Sequence, residues 1–249
     1  MEFAGQTAIV SGSARGFGRA ICRRLARGGA RVVAADINLA GAEETITLIA
    51  QEGGQGLAVK VDVSSAASVE AMVKAALARF DNRIDILVNN AAIWTNVATE
   101  ELAEEEWDRM VNVNMKGVFL CVKNVIPIMK RQKKGHIVNI ASIAVRTGGT
   151  YAGIHYVASK GGVLAMTKKL AKELGPFGIV VNGVNPGSSP TEMMQGWPQE
   201  ILDGIVKNTP LGRMCAPEDI ANTVAFLASD AAGFVNGVTM DVNGGLVCD

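Results

Sequence analysis

Histidine and cysteine are scarce in this chain of 249 residues: His136 and His155 are the only histidines, and the four cysteines stand at 22, 121, 215 and 248. None of these positions shows ligand or redox spacing, so a metal site is not expected and the thiols are read as reduced. Charge of one sign is lacking too. The 24 Lys and Arg balance the 24 Asp and Glu, and their scatter leaves no basic stripe for nucleic acid or an anionic membrane. The densest run, Glu100-Glu101 with Glu104-Glu105-Glu106, fits the solvated first turn of a helix, where acids suit the dipole. No apolar run reaches the ~18 residues of a membrane span. The N-terminus does not pair a charged start with a long apolar stretch, so no signal peptide is indicated and a cytoplasmic location is expected. Internal repeats, low-complexity tracts and a second-domain boundary are also missing.

What the chain does have is apolar residues, 49% of the total, and a regular alternation. Short apolar runs fall near 6–11, 31–36, 56–61, 84–89, 135–141, 178–184 and 238–242. Between them lie longer amphipathic stretches at about 16–28, 39–52, 65–79, 101–132, 154–175 and 217–229. This pattern predicts an α/β fold, a doubly wound parallel sheet covered by helices on both faces, as one domain over 1–249 with ligands at the carboxyl ends of the strands. One irregular segment, about 186–216, holds Pro186, Pro190, Pro198 and Pro210. Segments that long in a compact domain are usually lids or binding loops.

The motifs sit at those strand ends. Tyr156 and Lys160 are four residues apart, which puts a phenol and an ammonium on one helix face. A free phenol ionises near pH ~10, and a neighbouring cation draws it toward the working range, so the pair can serve as a general acid/base. Near the other end, the apolar run Thr7 to Ser11 leads into Gly12-Ser13-Ala14-Arg15-Gly16-Phe17-Gly18 and a helical pattern. Glycines there let a backbone approach a pyrophosphate and aim helix N–H groups at it. The next strand ends at Asp36, 18 residues after Gly18, near the spacing at which an acid meets ribose hydroxyls.

On these motifs the chain resembles the short-chain dehydrogenase/reductase family along essentially its whole length, with the glycine spacing Gly-x-x-x-Gly-x-Gly and a Tyr-x-x-x-Lys pair. The resemblance implies a Rossmann-like fold and a nicotinamide cofactor. It places Asp62-Val63 at the adenine and Asn89, in Asn89-Asn90-Ala91-Ala92, at the end of a strand beneath the nicotinamide. It assigns Pro186, Gly187, Ser189 and Thr191 to cofactor binding and the segment after Thr191 to a substrate lid. It also implies that Tyr156 exchanges the proton on the substrate oxygen and that Ser142 hydrogen-bonds that oxygen. Lys160 lowers the tyrosine pKa and binds the nicotinamide ribose, while Asn114 holds a water linking Lys160 to solvent. Three departures stand out: Ser142 lies fourteen residues before Tyr156, one more than usual, Ala92 replaces a glycine, and Ser189 replaces a branched apolar residue.

The expected activity is interconversion of a secondary alcohol or diol and its ketone. NAD is preferred over NADP, because the Asp36 carboxylate, followed by uncharged Ile37 and Asn38, repels a 2′-phosphate more than Arg15 attracts it. Substrate-facing candidates are Ile93, Trp94, Val145, Tyr151, His155, Met193, Met194 and Trp197, with Arg146 as the nearby positive charge. That set favours an uncharged ligand. The alternatives are an NADP-dependent ketoreductase such as a 3-oxoacyl carrier-protein reductase, supported by Arg15, and a dinucleotide-sensing protein without catalysis. By resemblance the chain is a homotetramer, with helices 101–132 and 154–175 at one interface.

Overall fold

Strand β1 (Thr7–Ser11) is buried at every residue, and its side chains alternate between two cores, Ile9 to one and Ala8 and Val10 to the other. The same two-sided burial explains why β2 (Arg31–Asp36), β4 (Ile86–Asn89), β5 (Gly135–Ile140) and β6 (Ile179–Pro186) are nearly continuous apolar runs. With β3 (Gln55–Lys60) and β7 (Thr239–Val242) at the edges they make one parallel sheet in the order β3-β2-β1-β4-β5-β6-β7. The register sets Ile9 beside Val33 on one side and Leu87 on the other. The computed structural model describes residues 1–149, 151–190, 194 and 197–248.

Helices cover both faces. Against one lie α1 (Gly16–Arg27), α2 (Leu39–Gln51) and α9 (Pro217–Ala228), burying Ile21, Leu25, Ile49, Ile220 and Val224. Against the other lie α3 (Ala66–Arg79), α5 (Gly117–Gln132) and α7 (Ile154–Leu174), burying Met72, Val122, Val125 and Val163. Each fully buried side chain of this size contributes roughly 1.5–3 kcal/mol. The strand order reverses direction between β1 and β4, which opens a crevice at their carboxyl ends.

Two expectations about helices need correction. The stretch 101–132 is not one helix: a 3₁₀ turn (Thr99–Glu101) and α4 (Glu104–Val111) precede a wider π turn (Asn112–Lys116) that runs into α5. The cause is a tertiary contact, because Asn114 in that turn is drawn to the backbone of Ile93, and π turns accommodate such an inserted demand. The segment 186–216 is not wholly irregular either. It contains α8 (Gln199–Asn208), which starts after Pro198, where a missing N–H costs nothing. The prolines on both sides masked its amphipathic pattern. The short α6 (Ala144–Thr147) follows β5.

Candidate active site

The turn from β1 to α1 is shaped by close approach. Gly12 has φ +68°, and a Cβ there would stand 2.7 Å from the Ala91 Cα, while one on Gly18 would stand 2.0 Å from the Gly12 carbonyl oxygen. Only glycine fits either position. The turn is braced from the next strand by Asn90, whose amide donates to the carbonyls of Ser11 (3.0 Å) and Gly12 (2.8 Å). α1 begins without a side-chain cap and with no acid in its first turn, so its leading N–H groups and the positive end of its dipole face the crevice. At the end of β2 both oxygens of Asp36 are fixed, one accepting from Ala14 N and the other from Asn38 N, each at 2.9 Å. Asp62 is held similarly, with one oxygen accepting from the N–H and the hydroxyl of Ser64. A glycine cradle that a Cβ would fill, an uncapped helix start and an anchored acid at the end of the neighbouring strand fit a dinucleotide.

Across the crevice, α7 presents Tyr156 and Lys160 one turn apart and both buried. The Lys160 ammonium donates to the Ile140 carbonyl at 2.8 Å and lies 6.0 Å from the centre of the Tyr156 ring. Burial lowers its pKa to about 8. Burial also pushes the Tyr156 phenol above its ordinary range, against an opposing hydrogen bond with Ser142. The lowering of Tyr156 expected from Lys160 is therefore not seen in the protein alone, because loss of water acts on both groups and favours their neutral forms. Ser142 follows β5, and its Oγ accepts from Ala144 N at 3.1 Å. The extra residue between Ser142 and Tyr156 falls in a loop where Gly148 and Gly149 take φ of +79° and +74°.

Asn114 is buried, and its side-chain amide is bonded within the protein. Its oxygen accepts from Ile93 N (2.8 Å), and its nitrogen donates to Ile93 O (2.9 Å) and Ser159 Oγ (3.2 Å). It ties the loop after β4 to α7 at Ser159, the residue before Lys160.

One cleft of about 1030 Å³ joins these groups. Gly12, Arg15, Gly16, Phe17, Asp36, Asp62 and Val63 line one half, and Ser142, Tyr156, Lys160, Pro186, Gly187 and Ser189 the other. Gly18, Asn89 and Asn114 do not line it. Gly18 packs beneath Gly12. Asn89 turns into the sheet, donating to Asn139 at 2.8 Å, since successive strand residues face opposite sides. Asn90 takes the cleft side instead. Thr191 and Met193 lie outside the described residues.

The outer wall is aromatic. Trp197 packs on Trp94 (centroids 5.5 Å apart) and edge-on to Tyr151 (5.3 Å), and all three line the cleft with Ile93 and Met194. Val145 and His155 were expected there and are elsewhere. Val145 packs on Gly161, and His155 is fully buried, its Nε2 2.8 Å from Thr95 Oγ1. Arg146 does not line the cleft either and pairs with Asp241 at 3.5 Å. Among the described residues the positive charges at the cleft are Lys160, Arg15 and Arg109, the last on α4, and Glu200 on α8 lines the cleft too. Arg109 escaped notice because it sits forty-seven residues before Tyr156, and only the fold brings α4 onto α7. Among the described residues no cluster of His, Cys, Asp and Glu is suited to a metal, and no helix is long and apolar enough to cross a membrane.

A family model described as enoyl-(acyl carrier protein) reductase matches residues 12–247. The chain is 39% identical over 245 residues to a 3-oxoacyl-(acyl-carrier-protein) reductase of Staphylococcus aureus (strain Mu50), covering 97% of this chain and 98% of that one. It is 37% identical over 252 residues to the enzyme so named in Thermotoga maritima, covering 99% and 100%. Among solved structures it superposes on a putative short-chain alcohol dehydrogenase from Sinorhizobium meliloti 1021 with TM-score 0.94 and 32% identity, covering 98% and 97% of the two chains. A short-chain type dehydrogenase/reductase from Mycobacterium marinum gives TM-score 0.95 at 30% identity, covering 100% and 98%.

Proposed function

The chain belongs to the short-chain dehydrogenase/reductase family of oxidoreductases, and within it we propose an NAD-linked enzyme that interconverts a secondary alcohol or diol and its ketone. The observation that carries this reading is the single cleft with Asp36 and the glycine turn at one end and Ser142, Tyr156 and Lys160 at the other. A bound nicotinamide dinucleotide supplies the two-electron exchange. Gly12, Arg15, Gly16, Phe17, Asp36, Asp62 and Val63 hold its adenosine and pyrophosphate half, and Lys160, Pro186, Gly187 and Ser189 the other.

The chain's own work is the proton and the geometry. Tyr156 gives a proton to the substrate oxygen in reduction and takes it back in oxidation, a step for which a positioned acid/base is worth about 10²–10⁴ in rate. Ser142 hydrogen-bonds the same oxygen, and its contact with the phenol already acts to ease ionisation. Lys160 in its charged form stabilises the phenolate. Asn114 positions α7 and the loop at Ile93 through its four bonds. Trp94, Tyr151 and Trp197 enclose the ligand in apolar surface, excluding water and favouring an uncharged or aromatic substrate.

A second reading has its own support. The relatives are named as acyl-carrier-protein reductases, and Arg15 and Arg109 stand at the cleft, where they suit a phosphate-bearing cofactor or thioester. A screen of alcohols, diols, ketones and 3-oxoacyl thioesters in both directions with NAD(H) and NADP(H), followed at the reduced-nicotinamide absorbance, separates the two. The first reading requires the highest efficiency with NAD(H) and an uncharged substrate. Thioester preference that vanishes in Arg109→Ala establishes the second, and no turnover with any pair leaves a dinucleotide sensor. A homotetramer is proposed as well, joined in part through α5 and α7, where Phe119 and Ile154 are half-exposed. Sedimentation of a monomer rejects it.

A further inference from the structure

His155 stands beside Tyr156 on α7, yet it is fully buried and reaches Thr95 in the loop after β4. The Thr95 hydroxyl donates to Glu106 Oε1 on α4 at 2.5 Å, and His155 Nε2 lies 2.8 Å from the same hydroxyl. A hydroxyl has one hydrogen, and here Glu106 takes it, so the imidazole is the donor at Nε2. The three side chains therefore form one directed chain, from His155 to Thr95 to Glu106, that joins α7, the loop and α4. Two features show that the fold is built around this chain. The other imidazole nitrogen, Nδ1, is buried with no hydrogen-bond partner, a cost that an apolar side chain at 155 would avoid. The ring also needs a glycine beside it, since a Cβ on Gly153 would stand 2.5 Å from its Cε1 and 2.7 Å from its Nδ1.

None of His155, Thr95 and Glu106 lines the cleft, but the residue before Thr95 does. Trp94 packs on the cluster of Met110, Ala144 and Tyr156 on one side and meets Trp197 at 5.5 Å on the other. We propose that His155, Thr95 and Glu106 are positioning residues that fix the Trp94 indole between Tyr156 and Trp197, and so set how tightly a bulky uncharged ketone or alcohol is held. The selectivity rests on the alcohol–ketone reading above, whereas the placement of Trp94 does not.

Paired indoles give an exciton couplet in far-ultraviolet circular dichroism, and Trp94→Phe identifies the share due to Trp94 and Trp197. Thr95→Val keeps the side-chain shape, deletes the hydroxyl and loses most of that share, while Thr95→Ser retains it. Glu106→Ala, a truncation at a partly exposed position, behaves as Thr95→Val does, and Glu106→Gln, which keeps an acceptor oxygen, behaves as wild type. In NADH-dependent reduction, Thr95→Val and Glu106→Ala raise KM for acetophenone about 5- to 20-fold, the worth of one lost hydrogen bond, and leave KM for butan-2-one and kcat for both ketones within about twofold. A merely structural role would instead lower kcat through loss of active protein and leave KM in place. An unchanged couplet in Thr95→Val and Glu106→Ala overturns the placement of Trp94, and equal KM changes for the two ketones overturn the selectivity. Wild-type protein that reduces neither ketone overturns the selectivity and counts against the alcohol–ketone reading, while the couplet still decides the placement.

Discussion

Lys160 and Tyr156 are buried together on one face of α7, and the lysine ammonium is held by the Ile140 carbonyl 2.8 Å away. The bond fixes the cation's place but only partly repays its lost hydration, which is why its pKa falls to about 8. A group poised there is charged or neutral according to small changes in its surroundings.

Tyr156→Phe keeps the ring's packing and deletes the oxygen that moves the proton. Turnover falls by about 10²–10⁴ or more, while NADH affinity and the unfolding temperature stay near wild type. Substantial residual turnover would falsify the assignment of Tyr156 as acid/base.

Lys160 predicts a dependence of stability on pH in the ligand-free protein. Its folded pKa, about 8, lies below the unfolded value of 10.5, so between those values the unfolded chain holds more protons and stability rises with pH. The penalty of burying the cation is complete below pH ~8 and relieved toward pH ~10.5, on the order of 3 kcal/mol at most. Urea unfolding of wild type and Lys160→Met at several pH values from 7 to 9.5 reads the difference. Wild type gains on the variant as pH rises, and a constant gap counts against the buried ammonium.

Asp36→Ala removes the carboxylate that a 2′-phosphate would meet. The ratio of kcat/KM for NAD to that for NADP drops about tenfold or more. Efficiency with NAD also declines, because Ala14 N and Asn38 N lose their acceptor. An unchanged ratio removes Asp36 from cofactor selection.

Asn89 and Asn90 separate structure from binding. Asn90→Ala releases the brace on the Gly12 turn, costing about 1–3 kcal/mol in stability and weakening NADH. Asn89→Ala strips the partner from Asn139 in the sheet, with a similar cost in stability and no change in NADH affinity. Thermal unfolding beside titration distinguishes them, and a NADH defect confined to Asn89→Ala reverses the assignment.

The parallel sheet was readable because strands buried on both faces are apolar through their middles, as Ala8-Ile9-Val10 in β1 and Ile86-Leu87-Val88 in β4 are. The glycine turn, Asp36 and the Tyr156–Lys160 pair were readable because strand ends and helix spacing place them without knowledge of packing. Residues whose place depends on contacts between distant elements were not. His155 looked like a pocket residue beside Tyr156, yet the neighbouring position on a helix faces about 100° away, toward Thr95. Arg146 was near Ser142 in the chain, but its charge is turned to Asp241, while Arg109 came in on α4. The break at Asn112–Lys116 follows from Asn114 reaching the Ile93 backbone, a contact with no periodic trace.

Trp94 is the single residue between two anchored neighbours. Asn114 holds both backbone groups of Ile93, and the carbonyl of Thr95 accepts from Gly153 N at 3.2 Å. The backbone at 94 is thus set by its flanks rather than by its own side chain, so a substitution there alters the wall of the cleft without reshaping the loop. A lineage carrying this scaffold could acquire a new substrate through one codon at 94, with a new fit of that side chain to Trp197 and to the cluster around Tyr156.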